Sequence, residues 1–332
     1  MSALPQIQLD AVHRVYDDGS HNAFTDLIHW RGRYWLTFRG CPDGHMVYPT
    51  SRIRVLVSAD GLTDWHEAFS FNAEGRDVRD PHFLAFGEKL FVYSGAWLCD
   101  PARPGHRDIN DHLGYGAWTD DGDTWRGPRS LEGTYGHYVW RAAAHRDRAF
   151  LCARRRRDFI PGPGPEEARE VIEGAMLESD DGLVWRTAGL FTEDYGNETA
   201  FLFEDDGQVV ALARGADPVP ARICRSLPPY VAWQRTELDR NVGGPLLAKW
   251  GERYLVAGRK TLEPGRPVTT VYWLESDALV EQLELPSGGD NSYPGFVPLD
   301  EHRGLLSYYS SHAGSGEGKA PCHIYIAELA LT

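Results

Sequence analysis

A chain of 332 residues, 42% of them hydrophobic, has ample material for a buried core; its 11 Trp, 15 Tyr, 35 Gly and 21 Pro exclude a helical bundle and suit many short strands joined by tight turns. Its 34 basic and 48 acidic residues leave a formal charge of −14. That balance excludes DNA, RNA and an anionic membrane as main partners, because phosphate binding needs a basic footprint.

At the N-terminus, Met1 to Pro5 carry no basic segment followed by an apolar run, and no apolar stretch further on is long enough to span a bilayer. A cytoplasmic address is therefore expected. A first strand, Ile7–Tyr16, has no neighbour in sequence to pair with. The next group reads Phe24–Trp30, Tyr34–Arg39, Ile53–Ser58 and Trp65–Phe71. It contains a turn, Ser58-Ala-Asp60-Gly61-Leu-Thr-Asp-Trp65, in which Asp accepts backbone N–H bonds, Gly takes positive φ and Trp opens the next strand. The same pattern returns at Thr119-Asp-Asp121-Gly122-Asp-Thr-Trp125 and at Ser179-Asp-Asp181-Gly182-Leu-Val-Trp185, a repeat of about sixty residues, with a weaker echo from Ser226 to Trp233.

That period divides the rest of the chain. The second group reads Pro81–Phe86, Lys89–Ala96, Leu113–Thr119 and Trp125–Leu131. The third reads Val139–His145, Arg148–Arg154, Glu173–Ser179 and Trp185–Leu190. The fourth reads Thr199–Glu204, Gln208–Arg214, Ala221–Arg225 and Trp233–Leu238, and the fifth Pro245–Trp250, Arg253–Gly258, Thr269–Leu274 and Val280–Leu285. The last group, Tyr293–Leu299, Gly304–Ser310 and Cys322–Leu329, lacks a fourth strand, which Ile7–Tyr16 can supply. The expected fold is all-β: a six-bladed β-propeller of four-stranded antiparallel blades in one domain, residues 1–332, its ring closed by the N-terminal strand. The turns resemble the Asp-box (BNR) repeats of sialidase-like propellers, where their role is structural. Five widely spaced cysteines, with neither CxxC nor Cys/His spacing, are expected to be small buried side chains.

In such blades the loop entering the first strand and the loop between strands two and three share one face. Here that face carries the long segments, including Gly40–Arg52, Trp97–His112, Arg155–Ile172 and Ser311–Pro321, and long loops in a compact fold are where function concentrates. Within them, Ile160-Pro-Gly-Pro-Gly-Pro165 and the glycines near Ser315 fit a lid or pocket wall. The first strands begin with a polar set: His21, Asn22, Asp26, Asp77 to Asp80, Trp140, Arg141, Asn197, Glu198, Asn241 and Asp290 to Tyr293. The ends of the second strands add Arg39, Arg154, Arg214, Arg259 and Tyr309, and His312 follows the second strand of the last group. Alternation along Arg154–Arg157 can aim two of its four side chains at the channel. Charged groups lining a channel must be paired, or must meet a polar ligand.

Gly196-Asn-Glu198-Thr-Ala followed by Arg214, and Ser292-Tyr293-Pro-Gly295 opening the last blade, are similar to motifs of the sialidases. The resemblance implies Tyr293 as nucleophile, Glu198 as its base, and Arg214 and Arg259 as two arginines that hold an acidic sugar. The loop Cys41-Pro-Asp43-Gly-His45 stands where that family keeps its acid/base, so Asp43 or His45 is expected there. Asn22-Ala-Phe-Thr-Asp26 has no Arg where sialidases open blade one with one, which argues against an ordinary sialoside. The function expected is an exo-acting, retaining glycoside hydrolase on a small or terminal sugar. Arg39, Asp26, Arg79, Asp80, Arg141 and His312 are expected as substrate contacts, with Trp140 and Tyr309 stacking on a sugar ring. Two alternatives are a uronate lyase using Tyr293, His45, His137 and Arg141, and a propeller that binds carbohydrate without turnover. No Gly-rich phosphate loop or metal spacing occurs, so neither cofactor nor metal is expected.

Overall fold

The computed structural model describes residues 4–103, 105, 107–161, 169–216, 219–262, 265–313 and 321–332. Residues 162–165 of the expected lid and the glycines around Ser315 lie outside them. The strands follow the sixty-residue period. After β1 (Ile7–Tyr16), blade one holds β2 (His21–Trp30), β3 (Arg33–Cys41), β4 (Arg52–Ser58) and β5 (His66–Phe71). Blade two holds β6 (Arg76–Phe86), β7 (Lys89–Leu98), β8 (Leu113–Thr119) and β9 (Trp125–Ser130). Blade three holds β10 (Tyr138–His145), β11 (Arg148–Arg156), β12 (Ile172–Ser179) and β13 (Arg186–Thr192). Blade four is shorter: β14 (Thr199–Phe203), β15 (Val209–Ala213), β16 (Arg222–Ser226) and β17 (Gln234–Glu237). Blade five holds β18 (Gly243–Trp250), β19 (Arg253–Leu262), β20 (Arg266–Glu275) and β21 (Ala278–Glu284). Blade six holds β22 (Asn291–Pro298), β23 (Arg303–Ser310) and β24 (His323–Leu331), and β1 completes it as a fourth antiparallel strand, with Ile7 opposite Leu331 and Tyr16 opposite Ile324. The protein is a six-bladed β-propeller, and the first and last strands close the ring: β1 pairs with β24, which is thereby paired on both sides. Among the described residues no helix is long and apolar enough to cross a membrane.

The repeated turns work as their residues suggest. Asp60 Oδ1 accepts from the backbone N–H of Leu62 and Thr63, at 2.9 and 2.8 Å, while Gly61 N–H donates to Ser58 Oγ. Asp121 and Asp181 make the same bonds in their hairpins. These turns also clamp neighbouring blades: Tyr93 of blade two donates to Gly182 O of blade three, and Arg33 of blade one donates to Asp121 O of blade two. The tryptophans that follow fill the seams between blades. Trp125 stacks on Phe69 of blade one, and Trp185 meets Tyr93 of blade two edge-on. Four of the five free cysteines are buried, and Cys99 is partly so.

The inner strands β2, β6, β10, β14, β18 and β22 pack side by side around the centre. Five of them slip register near their first residues, between Ala23 and Asp26, Arg79 and His82, Val139 and Ala142, Gly243 and Leu246, and Ser292 and Gly295. At four of these bulges Phe24, Asp80, Gly244 and Tyr293 have φ between 52° and 65°. Pro81, Pro245 and Pro294 follow three of these residues. Proline lacks the N–H a regular ladder needs, so it suits a bulge, and a bulge turns its side chain out of the strand's alternation. This is how the inner strands aim side chains upward into one face instead of only sideways into the seams.

Candidate functional site

On that face, at the starts of the inner strands, lies a cleft of about 400 Å³, within the range of small-molecule sites. Its lining comes from first-strand starts (Phe24, Arg79, Asp80, Tyr138, Glu198, Tyr293), from second-strand ends (Arg154, Arg214, Arg259, Tyr309) and from the long segments (His45, Trp97, Arg107, Arg169). The opposite face carries the short turns, so the split between the two faces follows from loop length alone.

At the centre, the phenol of Tyr293 donates a short hydrogen bond to Glu198 Oε1. Glu198 Oε2 accepts from Arg214 Nη1 at 2.7 Å and from Gly244 N–H at 3.2 Å. Burial pushes Tyr293 well above the usual phenol range, and the charges of Glu198 and Asp80 add to it. Burial would raise Glu198 as well, but Arg214, Arg154 and the Tyr293 bond outweigh it and bring the carboxyl down to about 2. The resting pair is thus a neutral phenol facing an ionised carboxylate. Gly244 sits at φ +56°, and an added Cβ would stand 2.4 Å from the Tyr293 ring, so glycine is required where the two strands meet.

Asp290 organises the rim beside the pair. Its Oδ2 accepts from His45 Nδ1 at 2.6 Å and from His21 Nε2 at 2.8 Å, and its Oδ1 accepts from Tyr309 Oη at 2.8 Å. Burial opposes ionisation of Asp290, but the two histidine hydrogen bonds hold it well below the usual carboxylate range. A carboxylate only accepts, so Nδ1 of His45 carries a proton and Nε2 is its free nitrogen. The His45 side chain is 43% exposed and lines the cleft. His21, His45 and Asp290 are also the one group of metal-ligand type found among the described residues. They hydrogen-bond one another at 2.6 and 2.8 Å, with Arg259 3.8 Å from Asp290, and so form a histidine–carboxylate relay.

Asp80 is the other lining carboxyl. It accepts from Tyr138 Oη, and its Oδ1 has no hydrogen-bond partner among the described residues. Burial raises it to about 7; Arg79 opposes the shift and the charge of Glu198 adds to it. A carboxyl protonated up to pH 7 in the fold and ionised above about 4 when unfolded stabilises the fold most at low pH. That contribution fades as pH rises from about 4 to about 7. The Asp80→Asn protein, which keeps the shape and loses the titration, should therefore gain in Tm relative to wild type as pH goes from 5 to 8, as thermal melts would show. A constant Tm difference across that range would contradict the assignment.

The expected site residues divide into three sets. Tyr293, Glu198, His45, Arg214, Arg259, Arg79, Asp80 and Tyr309 line the cleft. Arg79 donates to His45 O at 2.9 Å, and Arg259 to Asn291 O at 3.1 Å. A second set lies below the floor. Arg141 bridges blades, donating to Pro245 O at 2.9 Å and Pro294 O at 2.6 Å with Asp26 3.4 Å away. Asp26 also accepts from Phe83 N–H, and Trp140, 1% exposed, meets Tyr293 edge-on. Trp140 is therefore a support for Tyr293 and offers no face to a ring. Arg39 is fully buried, bonded to Asp77 and to the carbonyls of Gly44 and Met46, and so braces the loop that presents His45. The third set points elsewhere. Asp43 accepts from Thr50 Oγ1 at 2.5 Å and does not line the cleft; nor does His312, which bonds Ser310 and packs on Tyr325.

Of the basic run, Arg154 lines the cleft and Arg156 is buried, as alternation suggests, while Arg155 pairs with Glu173 and Arg157 donates to Glu193 O. Arg107 and Arg169 were not expected in the site; both sit in long segments without strand periodicity, where no sequence signal orients a side chain. Asp290 and His21 were visible as polar positions at strand starts, but the bonds of Asp290 to His45 and to His21 join residues 245 and 269 positions apart.

No family model matches the chain, and no curated protein matches it by sequence. Solved structures do match in fold. A protein of unknown function from Dyadobacter fermentans DSM 18053 is 21% identical over 99% of this chain and 100% of that one, with a TM-score of 0.81. The phage phi92 endosialidase is 8% identical over 98% of this chain and 70% of that one, with a TM-score of 0.70. The Trypanosoma rangeli sialidase, in complex with the inhibitor DANA, is 12% identical over 93% of this chain, with a TM-score of 0.66; this chain spans 55% of its length.

Proposed function

We propose that the protein is a retaining, exo-acting glycoside hydrolase for a terminal acidic sugar, with Tyr293 as nucleophile and Glu198 as its base. The observation that carries this reading is the buried Tyr293–Glu198 hydrogen bond in a cleft rich in arginine. The fold likeness to a sialidase and an endosialidase supports the same class of chemistry.

A neutral phenol is a weak nucleophile, and a Tyr nucleophile departs from the two-carboxylate plan of most glycosidases. Here the phenolic oxygen attacks the anomeric carbon while its proton passes to Glu198 Oε1. The glycosidic bond breaks in the same step, and the leaving oxygen takes the Nε2 proton of His45, which enters the cycle as an imidazolium with Asp290 holding its Nδ1–H. In the second step His45 Nε2 takes a proton from water, the water oxygen replaces Tyr293 at the anomeric carbon, and Glu198 returns the proton to the phenol. Arg214 holds Glu198 in place and, with Arg259, faces the substrate's acidic group. Asp80, protonated near neutrality, can donate to a sugar hydroxyl.

A panel of aryl glycosides, including uronides, sialosides and neutral hexosides, tests the proposal. Release of the phenol from at least one acidic member is expected. Cleavage of none, or an ultraviolet-absorbing unsaturated sugar in place of a hydrolysed one, would move the reading to binding or to a lyase. The His45→Asn variant refines it. With His45 as the acid, the loss should reach about 10²-fold or more for a poor leaving group and be far smaller for dinitrophenolate, which needs no proton. Equal losses for both leaving groups would remove His45 from that role.

A further inference from the structure

Six guanidinium groups line the cleft, from Arg79, Arg107, Arg154, Arg169, Arg214 and Arg259, against the two carboxyls of Asp80 and Glu198. This excess of positive charge stands inside a protein of formal charge −14. Like charges gathered in a concave, low-dielectric site repel one another and focus a field that draws in anions.

The arginines differ in how far the protein neutralises them. Arg214 pairs with Glu198 at 2.7 Å, Arg259 stands 3.8 Å from Asp290, and Arg79 stands 3.5 Å from Asp77. Arg107 and Arg154 have no carboxylate within 4 Å among the described residues. Among the described residues Arg107 bonds the sulfur of Met46, at 3.8 Å. Arg154 lies with its guanidinium 4.7 Å from the Tyr138 ring centre and donates through Nη1 to Asn197 Oδ1 at 2.9 Å. Its Nε is buried with no acceptor among the described residues. These two arginines rise from blades two and three, whereas Arg214 and Arg259 stand on blades four and five.

We infer that the cleft takes an acidic glycan bearing two anionic groups, one at Arg214 and Arg259 beside Tyr293 and a second, a carboxylate or a sulfate ester, at Arg154 and Arg107. The inference rests on the glycosidase reading for the sugar; the requirement for two charges rests on the arginines alone. A single carboxylate beside Tyr293 leaves the pair on blades two and three unneutralised. A second oxyanion gives the spare Arg154 and Arg107 donors charge-assisted acceptors.

Binding measured by calorimetry separates the two ideas, because it needs no turnover. The probes are chondroitin-type disaccharides with a uronate carboxylate and either no sulfate or one sulfate, a diuronide with two carboxylates, and lactose as the neutral member. A doubly charged probe should bind at least about tenfold more tightly than the singly charged one, with an advantage that shrinks as salt rises. Comparing the sulfated disaccharide with the diuronide identifies the second oxyanion. Arg154→Gln should erase the advantage of the doubly charged probe. Arg107→Gln should do the same and leave the singly charged probe within about threefold of its wild-type affinity, since among the described residues its side chain bonds Met46 and no member of the Tyr293–Glu198 pair. Equal affinity for all probes, failure of every charged probe to bind, or a preference that survives both substitutions overturns the inference. Dianion binding without hydrolysis by wild type would instead overturn the glycosidase reading alone.

Discussion

Tyr293→Phe is expected to lower kcat/KM by at least about 10³-fold on any substrate that wild type cleaves, while the protein stays folded. The Tyr293 phenol lines the cleft and holds a hydrogen bond to the ionised Glu198 carboxylate, the arrangement that the proposed nucleophile needs. Phenylalanine keeps the ring and its edge contacts with Phe24 and Trp140, so the bulge at residues 292–295 has the same packing to hold it. Glu198 loses one donor and keeps Arg214 and Gly244 N–H, a deficit of about 1–3 kcal/mol at most. In a chain this size that shifts Tm by a few degrees only. The separation between a small stability change and a large rate change is what distinguishes a nucleophile from a structural tyrosine. A Tyr293→Phe protein with activity within tenfold of wild type would remove Tyr293 from the chemistry.

The second large effect is on stability. Arg141→Ala is expected to destabilise the propeller by about 3–5 kcal/mol in denaturant unfolding, because it breaks a buried charge network. Arg141 is 7% exposed and ties blade three to carbonyls of blades five and six, with Asp26 of blade one at 3.4 Å. Its removal strands two carbonyls and leaves Asp26 with His82, whose imidazole is pushed down to about 4 by burial first and by Arg141 second. With the arginine gone that depression weakens, so His82 gains protons at higher pH and offsets part of the loss below neutrality. The sign follows directly: the destabilisation should be larger at pH 8 than at pH 5. A loss under 1 kcal/mol would mean that the centre of the ring is held by apolar packing alone.

The fold was legible because its signals are local and repeated. An Asp-Gly turn followed by Trp specifies a hairpin wherever it falls, and three copies at even spacing specify blades. The unpaired Ile7–Tyr16 and the missing last strand then had one mutual solution, which β1 and β24 adopt. The hydrogen-bonded group of Tyr293, Glu198 and Arg214 was legible through family resemblance. Depth was not. Alternation says which side of a strand a residue occupies, but not whether that side opens on the cleft or lies below its floor. Asp26, Arg39, Trp140 and Arg141 were read as contacts for a ligand and are instead supports beneath it. The bulges compound this, since a slipped register turns Asp80 and Tyr293 out of the alternation that places their neighbours. In the blade-one loop, Asp43 and His45 sit two residues apart with opposite outcomes, decided by the carbonyls of Gly44 and Met46 that Arg39 holds. Arg107 was out of reach, because nothing in its own segment records that a cleft lies opposite.

The central claim is that Tyr293 forms a bond to the sugar during turnover. The direct test is to quench the enzyme in the steady state with a slowly released fluorinated glycoside of the cleaved class, digest it, and map the peptides by mass spectrometry. The account predicts one added glycosyl mass, on the peptide containing Tyr293, absent from Tyr293→Phe. An adduct on another residue, or a product of inverted configuration with no adduct at all, would contradict it.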